Sequence, residues 1–231
     1  MFRRVLVGVA VVLSAGAVAV DRVAASVAGK QVAKRLQTAE SLPSTLKVTL
    51  GGFPFLTQAL RGRYHDVSVT ATDVRRGSVL VARIDARLHG VRLGLREALG
   101  GSIDAVPVDS VDATALFRYA DLSAAVPNGR LTITEDHGRI RLHGATVVFG
   151  QRISGSGLGE VSVEANRLTI VPVDFTLDTG GRTMVLNPAL AAALTYSVPI
   201  NLPFGLTLRS VQPRSEGLAV QAVGNAIVLR R

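Results

Sequence analysis

The chain has 231 residues and a formal net charge of +9, carried by 23 Arg and 3 Lys against 17 acidic residues. It has no Cys, which excludes disulfides, thiolate metal sites, Cys nucleophiles and anchoring through an acylated Cys. The basic balance favours an anionic partner such as a membrane surface or a phosphorylated glycolipid; nucleic acid is set aside, because no basic run exceeds two residues and stacking aromatics are few.

Met1-Phe2-Arg3-Arg4 leads into the uncharged run Val5 to Val20, the pattern of a signal peptide or membrane anchor for residues 1–20. As a helix this run spans roughly 24 Å, short of a hydrocarbon core of about 30 Å. Ala17-Val18-Ala19 offers a small-x-small cleavage pattern, yet nothing breaks the helix there, and cleavage and retention both stay open. Either way the protein is expected outside the cytoplasmic membrane, in the cell envelope.

From Asp21 to Glu40 the spacing predicts a continuing amphipathic helix. Val23, Val27, Val32, Leu36 and Ala39 form its apolar face, expected to pack on a sheet, and Arg22, Lys30, Lys34, Arg35 and Glu40 mostly take the other. Ser41-Leu42-Pro43-Ser44 ends it. The period then changes to two: Leu46, Val48 and Leu50 alternate with polar neighbours.

Gly51-Gly52-Phe53-Pro54-Phe55-Leu56 is the most informative stretch. Two of only seven Phe flank a Pro that fixes its own φ, after glycines that permit a sharp turn. A stiff apolar corner of this kind closes a core or lines the mouth of a cavity. Alternation resumes at Val67, Val69 and Ala71, and a turn is expected at Asp73 to Ser78. Leu80, Ala82, Ile84, Ala86 and Leu88 make the cleanest strand. Such strands belong to antiparallel sheets with one wet face.

Further on, Asp121 to Val126 reads as a short helix ended by Pro127. A hairpin follows, with strands Leu131 to Ile133 and Ile140 to Gly144 and a turn at Glu135 to Gly138. The same order recurs about 72 residues later: a helix from Pro188 to Val198, then a hairpin turning at Pro213 to Gly217. One curved antiparallel sheet wrapped around the long N-terminal helix satisfies both kinds of element, giving an α+β fold with one domain over 21–231.

Residues that carry chemistry are sparse. His89 and His143 both sit in Leu-His-Gly strand ends, and His137 is in a turn. Only His65, beside Asp66, is a candidate site residue. No His pair has metal spacing and no nucleophile elbow is present. Gly155-Ser156-Gly157-Leu158-Gly159 lacks the Lys of a phosphate loop and is expected at a hairpin tip. Asp109 and Asp112 would point to opposite faces of a strand. No catalytic residue, metal site or cofactor is assigned, and the chain is not expected to be an enzyme.

The N-terminal apolar segment, Gly52-Phe53-Pro54-Phe55-Leu56, Leu60-x-Gly62, Val67-Ser68-Val69, Phe117-Arg118-Tyr119-Ala120-Asp121-Leu122 and Leu202-Pro203-Phe204-Gly205-Leu206 to Gly217-Leu218 together resemble the actinobacterial lipomannan elongation factor family. The resemblance covers nearly the whole chain. It implies a phospholipid-binding envelope protein, a fold similar to tubular lipid-binding domains, and a supporting role in lipomannan elongation. The residues themselves point to a lipid groove lined by Phe53, Phe55, Leu56, Leu60 and Phe204, with Arg61 and Arg63 meeting a head group. The alternative is an envelope scaffold without a cavity that binds anionic glycolipid or a partner enzyme.

Overall fold

The computed structural model describes residues 2–40, 45–76, 79–94, 96–97, 105–125, 131–148, 151–179, 182–185, 195–199 and 202–230. In chain order its elements are α1 (Phe2–Glu40), β1 (Lys47–Leu50), α2 (Phe55–Arg61), β2 (Arg63–Arg76), β3 (Val79–Arg92), β4 (Ala105–Phe117) and α3 (Tyr119–Ala125). Then come β5 (Leu131–Asp136), β6 (Arg139–Val148), β7 (Gln151–Glu164), β8 (Arg167–Thr179), β9 (Arg182–Val185), β10 (Tyr196–Pro199), β11 (Thr207–Arg214) and β12 (Gly217–Arg230). One sheet has the order β1-β2-β3-β4-β12-β11; the other runs β10-β8-β7-β6-β5, with β9 also on β8. The fold is α+β with a long N-terminal helix and antiparallel sheets.

The chain forms two compact units. The first holds Met1–Ala71, Asp85–Asp112 and Gly224–Arg231; the second holds Thr72–Ile84 and Ala113–Val223. β2, β3, β4 and β12 contribute residues to both.

In the first unit α1 is unbroken from Phe2 to Glu40, through the Ala17-Val18-Ala19 pattern. No described helix is long and apolar enough to cross a membrane. The face that α1 buries differs from the expected one. Asp21, Ala25, Gly29 and Ala33 are buried, whereas Val23 and Val27 are exposed. The reason is distance. β1 is an edge strand, paired with β2 from Lys47↔Thr70 to Leu50↔Val67, and α1 lies against its backbone. A Cβ on Gly29 would come within 2.5 Å of the Val48 carbonyl oxygen, and the Gln37 side chain donates to the Leu46 carbonyl at 3.2 Å. Only small residues permit that approach, so the valines are left outside. The helix covers backbone groups that an open edge would present to another chain.

In the second unit the hairpins fall where the sequence places them. β5 and β6 pair from Leu131↔Gly144 to Asp136↔Arg139, and β11 and β12 from Thr207↔Val223 to Arg214↔Gly217. α3 covers the short helix read from Asp121 as far as Ala125; Val126 and Pro127 lie outside the described residues. The Phe117-Arg118-Tyr119 motif proves to be a clasp. The Tyr119 hydroxyl donates to the Arg214 carbonyl at 3.0 Å and accepts from the Arg214 N–H, while Arg118 pairs with Asp73 and Asp121. A side chain at Gly217 would collide with the Phe117 carbonyl. These motif residues therefore tie α3 to the β11–β12 turn.

Three expectations are corrected. Gly155 to Gly159 is no hairpin tip but the middle of β7, where Phe175 of β8 covers it; a Cβ at Gly157 would meet the Phe175 ring at 2.4 Å. The strand needs glycine there to admit the aromatic ring. Tyr196 to Pro199, the end of the helix expected from Pro188, is instead β10, paired with β8 from Tyr196↔Ile170 to Pro199↔Arg167; the segment from Pro188 to Leu194 lies outside the described residues. β2 continues through Asp73, at φ 54, to Arg76; the turn expected at Gly77 and Ser78 lies outside the described residues.

Candidate lipid-binding site

The corner at Gly52 to Gly62 is built from local chemistry. Gly52 has φ 81 and Gly62 φ 63, left-handed values that suit glycine, and Gly62 caps the end of α2 with its N–H on the Ala59 and Gln58 carbonyls. The N-terminal cap is Pro54, whose side chain accepts no hydrogen bond, so the cap comes from elsewhere. The buried Asp21 of α1 (3 % exposed) accepts the Leu56 N–H at 2.9 Å. Burial pushes its carboxyl up, but the N–H groups of Leu56 and Phe55 and the Arg22 guanidinium together hold it below the usual carboxylate value. Gln58, also buried, donates to the carbonyls of Gly51 and Pro54 and accepts the His65 N–H.

Asp21 had no signal in the sequence beyond a lone acid ending an apolar run. Asp21→Ala is expected to lower Tm by about 5 °C. Because the folded carboxyl is depressed, its contribution is present above the ordinary Asp range and is lost as pH falls through the lowered value. The Tm gap between wild type and Asp21→Ala therefore closes on acidification; a gap unchanged down to strongly acid pH would refute the capping role.

The predicted lipid-contacting residues separate into two kinds. Phe55 is buried at 5 % exposure and packs on Tyr64 with ring centroids 6.2 Å apart. Phe53, Leu56 and Leu60 are exposed, Leu60 at 81 %. Leu56 and Leu60, four apart on α2, share a face. Arg22 lies over the Phe53 ring, 5.4 Å from its centroid, and donates to the Gly52 carbonyl. Arg61 is exposed at the end of α2, whereas Arg63 pairs with Asp109, which also holds Arg92. Phe204 is exposed in the second unit, at φ 59 in the turn Pro203–Gly205. His65 does not engage Asp66; His89 does, at 2.5 Å. Among the described residues no group of three His, Asp or Glu could hold a metal.

Sequence reasoning did not foresee the cavity beside this corner. A cleft of about 820 Å³ lies between α1 and β1, lined by Arg22, Ala25, Ser26, Lys30, Ala33, Lys34 and Gln37 from the helix and by residues 46–50. Its buried lining is apolar, with Ala25, Ala33, Leu46 and Val48, and its charged lining is entirely basic. The volume falls within the range of about 300–1,000 Å³ usual for ligand sites. Small residues along α1, spaced by four, were the available sign that helix and strand run close together here.

No curated protein and no solved structure matches the chain. A family model described as LmeA-like phospholipid-binding matches residues 19–223, which takes in the corner, the cleft and the Tyr119 clasp. The chain belongs to the LmeA-like phospholipid-binding family.

Proposed function

We propose that this protein is an exported envelope component that binds phospholipid without turning it over, with the cleft between α1 and β1 receiving the lipid. The observation that carries the reading is the pairing of an apolar lining with a wholly basic set of charges, in a chain whose family binds phospholipid. Burying one CH₂ stabilises by about 0.8 kcal/mol, so even part of an acyl chain gives a cleft of this size useful affinity. Exposed Phe53, Leu56 and Leu60, beside Arg22 and Arg61, form the surface that meets an anionic membrane: apolar side chains enter the interface and cations face the phosphates. Binding without chemistry agrees with the engagement of Asp66 by His89 and of Asp109 by two arginines. In the cell this activity serves lipid carriage or lipoglycan elongation, with or without a partner enzyme; the resemblance described above supports that role.

Filling the cleft tests the reading. Ser26 lines it from an exposed helix position, so Ser26→Phe is expected to cut phospholipid uptake from vesicles about tenfold while leaving Tm within about 2 °C. Native mass spectrometry showing equal lipid occupancy in both proteins would remove the cleft from the proposal. An envelope scaffold without a lipid cavity would instead bind anionic vesicles in a salt-sensitive way and be indifferent to Ser26→Phe.

A further inference from the structure

The cleft has two unlike ends. α1 and β1 run in opposite directions: Gln37 meets Leu46, Gly29 meets Val48, and Arg22 reaches Gly52, just past Leu50. At the first end the Gln37 side chain spans from helix to strand. At the other the chain turns straight into the corner, where Phe53, Leu56 and Leu60 stand in solvent. Val18, also exposed, sits one turn before Arg22 on the same face of α1. Apolar side chains thus gather at the Arg22 mouth of the cleft.

Arg22 belongs to both the cleft and the corner. It lines the first, donates from Nη2 to the Gly52 carbonyl, and lies over the Phe53 ring. Its ion pair with Asp21, at 2.9 Å, anchors it, because that buried carboxylate is itself fixed by capping α2. The contacts with the corner are of a different kind. A guanidinium over an exposed ring is weakly held, and a phosphate, which engages it through charge-assisted hydrogen bonds, is the stronger partner. In a bilayer interface the two groups also separate by depth: the ring enters the acyl region while the guanidinium stays level with the phosphates.

We propose that lipid enters and leaves the cleft at its Arg22 end, where Arg22 exchanges the Phe53 ring and the Gly52 carbonyl for the lipid phosphate once Val18, Phe53, Leu56 and Leu60 enter the bilayer. This rests on the cleft being the lipid site and adds the route to it. The surface that the corner meets is an anionic bilayer, for which the exposed Arg22 and Arg61 supply complementary charge.

The test uses the full chain and vesicles of phosphatidylcholine with about one-fifth phosphatidylglycerol, an anionic surface, with lipid uptake read by mass spectrometry. The chain has no Cys, so a single introduced Cys takes a polyethylene glycol maleimide at one chosen place. Labelling Phe53→Cys should slow uptake about tenfold relative to the same variant unlabelled, by keeping the corner out of the interface. Labelling Thr45→Cys, exposed beyond Leu46 at the other end, should leave the rate unchanged. Arg22→Gln should slow uptake from vesicles about fivefold, yet reach wild-type occupancy when the lipid is supplied in detergent. Arg87→Gln, exposed and outside the cleft, should alter neither reading. Equal slowing by both labels, or no slowing at Phe53→Cys, overturns the Arg22 end as the portal. An unchanged Arg22→Gln rate, or an occupancy from detergent that falls with it, overturns the role of Arg22 in transit. A wild type that fills from detergent but never from vesicles also overturns the proposal. Failure of the wild type to take up lipid even from detergent overturns the underlying cleft reading instead.

Discussion

Gly29→Val is expected to destabilise the protein by about 3 kcal/mol or more in urea unfolding. The direction runs against helix propensity. In an exposed helix interior, replacing Gly with Ala gains about 1 kcal/mol. Here the first carbon added would stand 2.5 Å from the Val48 carbonyl oxygen and 3.4 Å from its carbon, and both atoms belong to a strand fixed by its pairing with β2. Backbone does not give way as the tip of a side chain does. The variant must push α1 off β1, which opens the cleft as well as weakening the unit. Gly16→Ala is the matched control: it lies on the same helix with nothing within 4 Å of the added carbon, so it should be neutral or mildly stabilising. Equal effects at the two positions would show that α1 does not seat on β1 as described.

Phe55→Ala should cost about 3–5 kcal/mol, the loss typical of a large side chain removed from a packed core. Its ring is shielded from solvent and sits against Tyr64, itself buried. Phe53, two residues earlier, should behave in the opposite way. Its ring is exposed and its described ring contact is Arg22, worth about 0.5–1 kcal/mol at such a site. Phe53→Asp should therefore leave the unfolding midpoint nearly in place and act on capture of anionic vesicles. Thermal melts and vesicle sedimentation of the two variants separate these roles; similar losses of stability at both positions would refute the division.

That division shows what the sequence could convey. The corner itself was legible, because Pro54 and the flanking glycines restrict the backbone locally, and so were α1, the alternating strands and both hairpins, which local periodicity and turn chemistry determine. The two Phe looked alike because each is an apolar ring beside Pro54; only long-range packing sends one inward and leaves the other in solvent. The buried face of α1 was misread for a related reason. Apolarity pointed to Val23 and Val27, but the contact with an edge backbone selected for smallness, and Asp21 earned its buried place by capping a helix 35 residues away in sequence. The glycines of β7 looked like a flexible tip because Phe175, the ring that explains them, lies far along the chain. The lysines were legible as charges and not as lining of one cleft, since Lys47 of β1 and Lys30 and Lys34 of α1 share it only because helix and strand run side by side.

The covering of β1 by α1 has a consequence for assembly. Leu46 and Val48 turn carbonyl groups toward the helix, where Gln37 and Gly29 meet them. Were the helix to detach, those groups would stand bare along a short oily ribbon, ready to recruit a like segment from a second molecule. The helix thus guards the fold against polymerising through its own rim.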